Sequence, residues 1–100
     1  MFSVNLNKER SFSPETHFKT ELFESEKTKV LQICFEPGQT VSPCVMEADV
    51  VFYTIEGRGK LIMPDTTEEL EAGTLVVVPA GVERQIAAVT RLVVLAVQLL

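Results

Sequence analysis

Few side chains in this sequence are equipped for chemistry, and their spacing limits what they could do. Cys44 and Met46 stand two residues apart, so on an extended segment both face the same way. A thiolate and a thioether make a soft pair that suits copper(I) or zinc, but two such ligands need a third. Cys34 and His17 are the candidates, and nothing in their spacing places them there. The plainer reading makes Cys44 and Met46 a small and a flexible apolar filler of a core. His17 is the only histidine, which excludes a multi-histidine metal site within one chain. Arg84 offers different chemistry: a planar, permanently charged fork that takes a carboxylate or phosphate through two parallel hydrogen bonds. Its plainer reading is an arginine snorkelling at a rim, or one paired with Glu83, Glu47 or Asp49. An arginine buried without a partner costs several kcal/mol, so an inward Arg84 requires something to meet it. No glycine-rich phosphate loop and no Ser-His-Asp set appears, nor any spaced pair of buried acids. Asp65, Glu68, Glu69 and Glu71 read as a solvated face.

The elements that would position these residues are strands. Residues 45–55 form a mostly apolar run rich in Val, Phe and Tyr, led by Pro37-Gly38 and closed by Gly57-Arg58-Gly59. Such a run bounded by Gly and Pro reads as one strand and its turn. A second block, Gly73 to Arg84, repeats the pattern with Pro79 and Gly81. Residues 17–23 and 30–36 flank a charged turn at 24–29, and Leu31, Ile33 and Phe35 share one face of the second segment. The pair reads as a hairpin. Further strands are expected at 60–63, 75–78, 85–90 and 91–99. The stretch 67–72 is too short for a stable helix. Residues 1–16, broken by Ser11, Ser13 and Pro14, read as an arm, and 17–100 as a single domain. Many short strands separated by frequent turns mean an all-β sandwich or barrel.

The punctuation of the two blocks resembles the two motifs of the cupin superfamily. In the first motif a glycine is followed after five residues by His-x-His, then a glutamate and a second glycine. In the second, a glycine is followed after five residues by Pro-x-Gly, then a histidine and an asparagine. Gly38, Gly57, Gly73, Pro79 and Gly81 fall in register with this skeleton. The resemblance implies a small RmlC-like double-stranded β-helix, a jelly-roll barrel of the type related to sugar epimerases and germins. The metal-binding positions of the family do not match. Its histidines fall on Cys44, Met46 and Arg84, its glutamate on Val50 and its asparagine on Ala88. The family's ligands point into the barrel, so the resemblance places Cys44, Met46, Val50, Phe52 and Thr54 inward, with Arg84, Ile86 and Ala88 from the second motif. It implies a ligand pocket of Cys44, Met46, Val50, Phe52, Arg84 and Ile86, with no metal and no cofactor.

This fold hosts enzymes, binding modules and regulatory domains alike. The preferred reading is a metal-free small cupin that binds a small apolar or anionic molecule without catalysis. The alternative is a cupin enzyme, oxygenase- or isomerase-like, metal-independent or with a non-standard metal through Cys44. A third reading is an interaction module whose barrel is filled by its own side chains. The net charge of −5 argues against nucleic acid and against an anionic membrane surface. The apolar residues 92–100 are far fewer than the roughly 20 that span a bilayer. Two cysteines without a framework spacing, and no signal-like start, lead us to expect a cytoplasmic protein. Val51, Tyr53 and Ile55 form an outward apolar row that needs cover, so a homodimer is expected. Light scattering at micromolar concentration should give about 22 kDa, twice the chain mass of 11.1 kDa. A monomeric mass at every concentration would count against the dimer.

Overall fold

A computed structural model describes residues 1–100. It contains nine strands: β1 (Phe18–Glu24), β2 (Thr28–Phe35), β3 (Thr40–Cys44), β4 (Asp49–Glu56), β5 (Arg58–Ile62), β6 (Thr67–Glu71), β7 (Leu75–Val78), β8 (Arg84–Ala88) and β9 (Leu92–Leu99). One 3-10 turn, Leu6–Glu9, lies in the arm. The strands form two antiparallel sheets, a five-stranded one in the order β1-β2-β9-β4-β7 and a four-stranded one in the order β3-β8-β5-β6. The expected hairpin of β1 and β2 is present, with Phe18 opposite Cys34.

The period-2 alternation seen in the sequence decides which face of each strand is buried. Leu31, Ile33 and Phe35 of β2, Val50 and Phe52 of β4, and Leu92, Val94 and Ala96 of β9 point between the sheets. Leu61, Leu70 and Ile86 meet them from the four-stranded sheet. On β6 the acids Glu68, Glu69 and Glu71 stay exposed around buried Leu70, as a solvated face requires.

The run 45–55 is not one strand. It divides into a bend at 45–48, which follows the end of β3, and the strand β4, and β3 and β4 belong to different sheets. The alternation continues across the bend, which hides it in the sequence. Tertiary bonds fix it: Gly81 N–H donates to the Met46 carbonyl at 2.9 Å, and Ala80 N–H donates to Asp49 Oδ1 at 2.8 Å. Pro43, which has no N–H to give, sits in β3 at the edge of its sheet, where a missing donor is tolerated.

The motif glycines Gly38, Gly57, Gly73 and Gly81 all have positive φ, between 83° and 93°. Gly57 carries the heaviest constraint. It turns the chain from β4 in one sheet to β5 in the other, and a Cβ there would collide with the Arg91 carbonyl. Around Gly73, by contrast, a Cβ meets nothing within 4 Å.

The arm lies over the outer face of the five-stranded sheet. Gln32 Nε2 donates to the Leu6 carbonyl at 3.1 Å and Gln39 Nε2 to the Ser13 carbonyl at 2.7 Å. Arg10 pairs with Glu56 at 3.0 Å. The Arg91 guanidinium sits 3.7 Å from the centre of the Phe12 ring and bonds Glu36 at 2.8 Å. Beneath this cover Cys34 is buried. Burial pushes its thiol pKa up, against a backbone hydrogen bond from Ser11 and the charges of Arg10 and Arg91. Towards β7 the outer face is bare, and Tyr53, Leu75 and Val77 are exposed there.

These contacts can be tested at the turns and at the thiols. Gly73→Ala should cost about 1–2 kcal/mol for left-handed backbone alone. Gly57→Ala should cost that plus a further ~1–3 kcal/mol of overpacking. Urea denaturation of both variants measures the difference, and equal losses would contradict the close approach of Gly57 to Arg91. A disulfide reagent at neutral pH should label one thiol per folded chain, exposed Cys44, and reach Cys34 only on unfolding. The fold holds the Cys34 proton above the ordinary pKa of 9.0. That contribution is complete below pH 9 and is lost as pH rises through the higher folded value. Two thiols labelled at equal rates in the native protein would refute the burial of Cys34 under the arm.

Candidate functional site

Cys44, Met46, Val50, Phe52, Arg84 and Ile86 line one cavity of about 70 Å³ between the two sheets. Three stretches of chain bring them together. Cys44 ends β3 directly opposite Arg84 on β8, Met46 lies in the bend, and Val50 and Phe52 face inward from β4. Cys44 and Met46 therefore do not share a strand with Val50, as the sequence suggested. Thr54 and Ala88 are buried as expected, but they lie outside the cavity wall.

The remaining wall comes from residues the sequence did not single out as a site. Leu31 and Ile33 of β2 and Ala96 of β9 complete the apolar floor, with Val41 of β3 beside them. Their alternating burial was legible; their convergence on Arg84 was not. Lys19, Gln85 and Gln98 supply the other polar groups. Lys19 stands opposite Ile33 in the β1–β2 ladder, and Gln98 opposite Val50 in the β4–β9 ladder. Lys19 is exposed, so its ammonium remains in solvent at the border of the cavity.

Arg84 is 3% exposed. Its Nε donates to the Val82 carbonyl at 2.9 Å, and its Nη2 approaches the Pro79 carbonyl at 3.5 Å. The pairing with Glu83, Glu47 or Asp49 does not form: the ion pairs of the molecule are Arg10–Glu56, Lys29–Glu21, Lys60–Glu69 and Arg91–Glu36. The Asp49 carboxylate is turned instead to the Ala80 amide. The guanidinium is thus held in place by two backbone carbonyls, its charge unmatched and its Nη1 without a protein acceptor. Two neutral dipoles orient a cation but do not neutralise it.

The candidate third ligands for a soft metal site lie elsewhere. Cys34 is on the outer face under the arm, and His17 rests against Phe35 with Nδ1 3.2 Å from the Thr40 carbonyl. No group of three or more His, Cys, Asp or Glu side chains is assembled anywhere. Cys44, Met46, Val50 and Arg84, the positions that the sequence resemblance aligns with metal ligands, hold a thiol, a thioether, an alkyl group and a cation. This set does not fit a divalent ion: Val50 has nothing to donate, and Arg84 repels any cation placed beside it.

Residues 31–98 match the family model of the cupin domain. No curated protein matches the chain. Among solved structures, a protein from Thermus thermophilus superposes with a TM-score of 0.92 at 24% identity, over 99% of this chain and 97% of that one. An RmlC-like cupin from Desulfovibrio desulfuricans gives 0.91 at 24%, over 99% and 96%. KdgF from Halomonas sp. gives 0.81 at 16%, over 100% and 96%. At such identities the structures share the fold alone. The family model, however, spans well over half of the sequence, and its motif glycines stand at the turns of a double-stranded β-helix. On that match and that architecture, the chain belongs to the cupin superfamily.

Proposed function

We propose that this chain is a metal-free cupin that binds a small anionic molecule in the barrel without transforming it. One observation carries the reading: Arg84 is buried beside a cavity with no carboxylate to meet its charge. A ligand anion would supply the missing partner, and hydrogen bonds to a charged group contribute about 1.5–3 kcal/mol each. The apolar wall of Val50, Phe52 and Ile86 strengthens that attraction by keeping water away. Binding without catalysis fits the polar content of the wall. Beside Arg84 it offers Cys44, Lys19 and two glutamines, and the commonest proton carriers, imidazole and carboxylate, are not among the lining groups. A cavity of about 70 Å³ supports this reading over a barrel filled by its own side chains.

The test is a set of thermal melts at constant ionic strength in chloride, acetate, propionate, phosphate and sulfate, for the parent and for Arg84→Gln. At a hundred times Kd, a ligand that binds only the folded state stabilises it by about 2.7 kcal/mol. For a domain of this size that raises Tm on the order of 10 °C. At least one anion should do so in the parent and have no such effect in Arg84→Gln. Zinc and manganese should leave the parent melt unchanged. A parent indifferent to every anion, or a variant shifted as much as the parent, would overturn the reading.

A further inference from the structure

We infer that the anion is a short aliphatic monocarboxylate, held with its carboxylate on Arg84 and its tail directed into the barrel; the inference rests on the reading of Arg84 as an anion anchor.

Charge sets the first limit. The cavity has one buried cationic residue in its wall, because Lys19 is exposed at its border while Arg84 is 3% exposed. One guanidinium balances one negative charge. A second charge on sulfate or hydrogen phosphate would lie against Val50, Phe52 and Ile86 with only the neutral Gln85 and Gln98 and the exposed Lys19 at the border to meet it, and a charge buried that way is strongly penalised. Two of the guanidinium's nitrogens already face carbonyls, which leaves the Nη1 side for the ligand.

Register sets the direction of the tail. Arg84 lies opposite Cys44, and Cys44 is exposed, so the guanidinium stands near the open end of the cavity. Val50 is paired with Gln98 at the same end. Two residues further along the ladders lie Phe52 opposite Ala96, and Ile86 opposite Leu61, all of them buried. Two residues of strand are about 7 Å. A carboxylate at Arg84 therefore has an apolar path inward, and nine of the thirteen lining residues are hydrophobic.

Volume sets the length. The cavity of about 70 Å³ is roughly half the ~150 Å³ of an engineered apolar cavity that accepts benzene. By that proportion it encloses about half of benzene's six heavy atoms, so with the carboxylate at the open end beside Arg84 the tail inside is about one to three carbons, that of acetate to butyrate.

Calorimetric titration of the full chain with acetate, propionate, butyrate, octanoate, succinate, phosphate and sulfate tests this. From acetate to butyrate, affinity should rise by about four-fold per added methylene, the value of burying one CH₂. Octanoate should gain nothing further. Succinate, phosphate and sulfate should bind at least ten-fold more weakly than propionate. Arg84→Gln should lose all of these ligands. Ala96→Val narrows the inner end without touching the charge, and should weaken butyrate more than acetate. If phosphate, sulfate or succinate binds as tightly as propionate, or if affinity is flat with chain length, the monocarboxylate assignment fails while anion binding at Arg84 stands. If no anion binds, both fail.

Discussion

Two crossings between the sheets are stacked on one another, and the barrel depends on how closely they approach. The chain leaves the five-stranded sheet for the four-stranded one at Gly57, between β4 and β5, and returns between β8 and β9 at residues 89–91. Gly57 packs against the Arg91 carbonyl with no room for a side chain. The amides of Val89 and Thr90 both donate to the Arg58 carbonyl, and Arg58 N–H donates to the Thr90 hydroxyl. This end of the barrel is closed by backbone. The other end, where β3 runs out at Cys44 and the chain bends before β4, has one main-chain bond between crossings, from Gly81 N–H to the Met46 carbonyl, and the cavity lies at that end.

The second constraint is electrostatic. Apolar side chains give no solvation to a guanidinium, and Arg84 at the start of β8 turns instead to the carbonyls of the turn at residues 79–82. The same turn is tied back to the 45–48 bend and to Asp49 through Gly81 and Ala80. One turn therefore shapes the cavity rim from both sides: it orients the cation and holds Met46 in the opposite wall. At this point the chain presents a thiol, a thioether, an alkyl group and a guanidinium on one cavity wall.

How much of this was legible follows from the range over which each feature is determined. The glycines at 38, 57, 73 and 81 could be read because positive φ is a local demand that few other residues meet. That Cys44, Met46, Val50, Phe52, Arg84 and Ile86 would line one cavity could be anticipated because motif spacing fixes which positions converge. The break at 45–48 could not be read: Val45 and Ala48 look like strand residues, and the bonds that bend the chain come from residues 80 and 81, far along the sequence. The partner of Arg84 was equally hidden. Glu83, Glu47 and Asp49 are near in sequence or motif, and only the folded register shows the Asp49 carboxylate turned to an amide and Arg84 left to carbonyls. Lys19 and Gln98 enter the site through ladder pairing alone, a relation that no local pattern encodes.

The position of β9 has a consequence for how the chain reaches this structure. It lies in the middle of the larger sheet, between β2 and β4, so residues 92–99 join segments that precede them by roughly half the chain and more. Pairings of such separation are slow to form, since loop closure must be completed before the contacts repay it. During synthesis, eight strands leave the ribosome before the one that links β2 to β4. Until it arrives, the inner faces of both strands, with Ile33, Phe35 and Phe52, have no partner in place between them. The larger sheet is therefore completed only once β9 is available, and until then the chain presents two unpaired apolar strand edges, the kind of surface that chaperones shield.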